Sequence, residues 1–84
     1  MIESFPKLKS NEVVIVRVTV EKGRVLDEDL KLAVSKDQKV FTVFDSIDKA
    51  TAYAESLVKE NIEIECNIYT DATTLLKRIS IHEL

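Results

Sequence analysis

The 84 residues include one histidine and one cysteine, so any thiolate and imidazole chemistry requires Cys66 and His82 to meet in space. Cys66 falls between Ile64 and Ile68 in an alternating run, which marks it as a small apolar residue facing a core rather than a nucleophile in an electropositive pocket. His82 lies close to Leu84, in a part of the chain where ends fray and a general base is hardest to position. No serine-centred elbow supplies another nucleophile. The densest acidic cluster, Asp27-Glu28-Asp29, could join Asp45 or Asp48 in offering oxygen ligands to a hard cation such as calcium. It has no glycine within it for the sharp turn of a calcium loop, and it reads as a solvated loop. Cysteine and histidine spacing for zinc is absent. Gly23 is the only glycine, too few for a phosphate-cradling loop. The expectation is a protein that is not an enzyme, with no catalytic, cofactor-binding or metal-binding residues.

The candidates for holding nucleic acid are Lys7, Lys9, Arg17, Lys22, Arg24, Lys77 and Arg78, with Tyr53 or Tyr69 as a stacking surface. They are dispersed, and 12 Lys and Arg against 15 Asp and Glu give a net charge of -3. That balance disfavours phosphate backbones and anionic lipid. A lone cysteine allows no internal disulfide, the first residues carry no basic-then-apolar signal, and no apolar run approaches a membrane span. A cytoplasmic setting away from the membrane is expected.

These residues need elements to position them. Val13 to Val20 is almost wholly β-branched and predicts a strand, with Val14, Val16, Val18 and Val20 on one face. Val13, Ile15, Arg17 and Thr19 share the other, which grows polar toward its end, and both faces are expected to be covered near Ile15. Gly23 places a turn directly after this strand. Segment 27–36 reads two ways: Leu30, Leu32 and Val34 alternate as a strand does, while Asp27-Glu28-Asp29 before Leu30, Ala33 and Val34 resembles a helix start. The strand is preferred, because Lys36-Asp37-Gln38-Lys39 then serves as a hairpin turn into a third strand, Val40 to Phe44.

Asp45 or Ser46 can cap a helix carrying Ile47, Ala50, Ala54, Leu57 and Val58 on one stripe, with Glu55 and Lys59 paired on the wet side. Asn61, tolerant of left-handed geometry, ends it. Ile62, Ile64, Cys66 and Ile68 then alternate inward against Glu63, Glu65, Asn67 and Tyr69 outward, so one sheet face is expected to meet water. Thr70 to Thr73 turns the chain into a last strand, Leu75 to Ile81, that sets Arg78 opposite Glu63 or Glu65. Residues 1–11 read as a loosely packed arm with Phe5 as its anchor.

The fold expected is α+β in the order β-β-β-α-β-β, a mainly antiparallel sheet with one amphipathic helix on one face, in a single small domain of residues 1–84. A chain this short leaves apolar surface that association can cover. The functional expectation is therefore a non-catalytic protein-interaction or self-associating module, with a homodimer or another protein as partner. The open sheet face, or the Val13 to Val20 strand as a free edge, is its contact surface. The alternative is a nucleic-acid accessory protein.

Overall fold

Five strands and one long helix follow one another in the computed structural model, which describes residues 3–83: β1 (Val13–Thr19), β2 (Val25–Leu26), β3 (Thr42–Phe44), α1 (Ile47–Glu60), β4 (Ile64–Asp71) and β5 (Thr74–Ile79). A single 3-10 turn, Ile81–Glu83, closes the described chain. The α+β class and the β-β-β-α-β-β order are those the sequence predicts. All strand pairings are antiparallel, in the order β2-β1-β4-β5, with β3 pairing β1 beside β2. Thus β3 and β4, joined through α1, are separated by β1.

The β-branched run forms the centre of the sheet. One side of β1 pairs with β4 from Val14 to Thr19, and the other is shared by β3 at Val13–Ile15 and β2 at Arg17–Val18. It offers no free edge, contrary to the expectation placed on it. The reason is in its composition: a run apolar on both faces suits a strand covered above and below.

The helix fits its sequence closely. Ser46 is the N-cap and its hydroxyl accepts the Lys49 amide at 3.1 Å, with Asp48 in the first turn where the helix dipole favours an anion. Ala50, Ala54 and Val58 are fully buried and pack with Val13, Ile15, Cys66, Ile68 and Ile79. The alanines let the helix backbone approach the sheet. Asn61 ends α1 with its amide and side-chain nitrogen both donating to the Leu57 carbonyl, at φ −137°, so left-handed geometry is not used. The i to i+4 ion pair of this region is Asp45 with Lys49 at 3.0 Å rather than Glu55 with Lys59. Arg78 reaches Glu65 at 3.5 Å across the β4–β5 hairpin.

The 27–36 segment is neither strand nor helix. Leu30 has φ 65°, a left-handed conformation that a strand cannot contain and that costs a leucine about 1 kcal/mol. Only Leu32 makes a bridge, to Leu26. Side chains take the place of a neighbouring strand. The Asp27 carboxylate accepts the amides of Asp29 and Lys31 at 2.8 and 3.0 Å, and Gln38 Oε1 accepts those of Val34 and Ser35 at 2.7 and 3.0 Å. Gln38 Nε2 donates to Asp27 and to the Leu32 carbonyl, so the expected hairpin turn is instead a clasp for the preceding loop.

That loop and the arm cover the sheet's second face, which was expected to meet water. Val14, Val16 and Val18 are each under a tenth exposed and cluster with Val40 and Phe41, flanked by Phe5, Leu8, Val25, Ala33 and Tyr69. Phe5 meets Phe41 edge-on with ring centres 5.2 Å apart. Glu3 Oε1 accepts the amides of Val40 and Phe41 at 2.9 and 3.0 Å, a job a further strand would otherwise do. Phe5 anchors the arm as its sequence suggests.

Candidate interaction surface

Arg17 determines how the second face closes. It is fully buried on the helix side of β1, opposite Cys66, amid branched aliphatic residues. Its Nε donates to the Asp27 carbonyl at 3.2 Å, one terminal nitrogen donates to Thr42 Oγ1 at 2.7 Å and to the Tyr53 hydroxyl at 3.4 Å, and the other donates to the Val40 carbonyl. The planar guanidinium thus ties both ends of the 27–41 connection to the sheet and the helix. Among the described residues it has no ion-pair partner, and Glu28 reaches it only through Thr42, whose hydroxyl donates to Glu28 at 2.8 Å. Sequence reading counted Arg17 among groups available to phosphate. Its burial removes it from that set.

The other basic residues stay on separate segments: Lys7 and Lys9 on the arm, Lys22 and Arg24 on the β1–β2 turn, Lys77 and Arg78 on β5, with Arg78 engaged by Glu65. Tyr53 packs on Phe44 and Tyr69 on Phe5, so neither ring stands clear as a stacking platform. His82 is exposed in the terminal turn. Burial pushes the Cys66 thiol up to about 11, against the opposing pull of Arg17, which leaves it a poor nucleophile near neutrality. Asp27 is buried and committed to backbone amides and Gln38, while no group of three or more His, Cys, Asp or Glu among the described residues converges as metal ligands do.

Two carboxylates make the cover pH-sensitive. The Gln38 amide, with the Lys31 and Asp29 amides and the Lys31 charge, holds Asp27 below its ordinary 3.8 against the effect of burial. Burial works to raise Glu3, but the amides of Phe41 and Val40 and the Lys39 ammonium outweigh it and hold Glu3 below 4.5. A depressed native value means that the unfolded chain binds more protons, so this stabilisation is present above the ordinary values and lost as the pH falls through the native ones. We expect the urea midpoint to fall between about pH 6 and about pH 3, and to fall less steeply in Glu3→Gln. A pH-independent midpoint would contradict the assignment.

With both faces covered, exposed apolar side chains concentrate at one end of the sheet. Val20, Leu32 and Ile62, 40%, 45% and 62% exposed, line a groove of about 440 Å³ beside the β1–β2 turn. Val34, 76% exposed, continues it across a recess of about 300 Å³ that shares Arg24 and Leu32. Four of the seven large exposed hydrophobic residues described thus ring one continuous surface. The turn beneath is firmly built: the Gly23 amide donates to the Thr19 carbonyl at 2.8 Å, the Thr19 amide to the Arg24 carbonyl at 2.9 Å, Gly23 takes φ 65°, and the Arg24 amide donates to Thr19 Oγ1 at 3.0 Å.

The sheet edges are less inviting. β5 carries Lys77 and Arg78 and two breaks in register, both devices that discourage strand addition, while β2 is two residues long and bridged by Leu32. Sequence reading missed the groove because it set Ile62 inward with Ile64. The chain turns at 62–63 after Asn61 and β4 begins only at Ile64, which leaves Ile62 outside. No helix of the described residues is long and apolar enough to cross a membrane. No family model, curated protein or solved structure matches this chain.

Proposed function

We propose that this protein is a non-catalytic protein-interaction module that docks its partner in the groove formed by Val20, Leu32 and Ile62. The observation that carries the reading is the gathering of exposed apolar side chains at that single end, beside a hydrogen-bonded turn. Small domains leave scattered apolar residues in water, but a contiguous group rimmed by charge is what partners cover. The non-catalytic part is supported by the burial of Cys66, which pushes its thiol up to about 11 and away from the reactive thiolate. The cytoplasm is the proposed setting, since the lone cysteine builds no internal disulfide.

A photo-crosslinking residue placed at Ile62 tests the docking surface in the native cell, with the same residue at Ala72 as reference. Ala72 is exposed in the β4–β5 turn, away from Ile62 in the strand register. Discrete adducts from position 62 and none from position 72 are expected. Silence at position 62, or equal labelling from both positions, overturns the reading.

A further inference from the structure

The charges around the groove say what kind of partner fits it. Glu21, Lys22, Arg24 and Glu63 line it, all are exposed, and none joins an ion pair within the chain among the described residues. Two are acidic and two basic, so the rim is neutral within a chain of net charge -3. A surface shaped for a strongly charged partner would carry one sign. A charged rim that meets its own copy across a twofold axis is satisfied when it carries both signs, because each acid then finds a base on the identical patch opposite.

Resting on the docking surface proposed above, we infer that its occupant is a second copy of this chain, packed about a twofold axis. Val20, Leu32, Val34 and Ile62 meet their counterparts at the centre, and Glu21 and Glu63 of each copy face Lys22 and Arg24 of the other. Size sets the strength of the pairing. Eleven residues line the groove and its adjoining recess, against roughly 20 to 30 a side in a standard interface, so the dimer is weak and dissociates on dilution. The blunted edges of β2 and β5 make strand addition the poorer route to the same dimer.

Sedimentation velocity over a dilution series from about 100 µM to about 1 µM reads this directly. The wild-type chain is expected to pass from dimer to monomer across that range, and Ile62→Asp to weaken the dimer by about tenfold or more. Ile62 is exposed, so an unchanged far-ultraviolet spectrum and urea midpoint will show that the variant still folds. Two further variants test the charges: an all-acidic groove, Lys22→Glu with Arg24→Glu, and an all-basic groove, Glu21→Lys with Glu63→Lys. Each alone is expected to be monomeric, and an equimolar mixture to recover the dimer.

A wild-type chain that stays monomeric throughout overturns self-docking. The interaction reading survives that result if position 62 crosslinks to a protein of different mass. A dimer indifferent to Ile62→Asp, or formed equally well by each charge variant alone, overturns the assigned surface.

Discussion

Replacing Arg17 with alanine is expected to remove about 4 kcal/mol of stability, the largest effect of any single polar substitution in this chain. The change empties the space of a long, fully buried side chain, strands the Val40 carbonyl and leaves the Asp27 carbonyl with the Leu30 amide alone, while Thr42 keeps its bond to Glu28. For 84 residues at about 0.05 to 0.15 kcal/mol each, total stability is only about 4 to 13 kcal/mol, so the substitution removes about a third of it or more. Arg17→Lys keeps the charge but cannot present a planar fork to acceptors on three sides, and a loss of about 2 kcal/mol is expected. Urea titration followed by circular dichroism measures both. Equal midpoints for wild type and Arg17→Ala would show that the guanidinium holds nothing together.

The second large effect is expected from Phe41→Ala, at about 3 kcal/mol. Phe41 is buried over β1 and stacks edge-on against Phe5, so its removal takes away cover from Val16 and Val18 and loosens the arm at once. The same variant is expected to bind a hydrophobic dye in its native state, because the valine row of the second face becomes accessible. A stability loss without dye binding would mean that the arm and the 27–41 segment close over the gap. Either outcome separates this face from the end groove, whose residues Phe41 does not line.

Most of the regular elements were legible because each has a local cause. Branched aliphatic residues mark β1, a capped stripe with two alanines marks α1, and strict alternation marks β4. The 27–41 connection has no such local cause. Its backbone groups are satisfied by Asp27 and Gln38, 11 positions apart, and by Glu3, 37 positions from Val40, and no periodicity records pairings of that kind. The alternation of Leu30, Leu32 and Val34 therefore suggested a strand where the left-handed Leu30 forbids one.

The same limit applied to the contact surface. Strand order is a long-range property, so the sequence alone does not tell a free edge from a centre for β1, although a run apolar on both faces is better suited to the middle of a sheet. An arginine within that run was the available signal for Arg17, since a guanidinium among buried aliphatics must find acceptors. Ile62 continued the alternation of β4 on paper, and only the position of the Asn61 cap shows that it falls outside the strand.

Both sheet faces are covered and one end is open. Amide line broadening by a soluble gadolinium chelate, recorded by nuclear magnetic resonance on dilute and concentrated samples, tests both halves together. In the dilute sample residues 20–24, 32–34 and 62–63 are predicted to broaden and then to become shielded on concentration, while Val14, Val16 and Val18 stay sharp in both. Broadening at Val16 and Val18, with no change around Ile62, would contradict this arrangement.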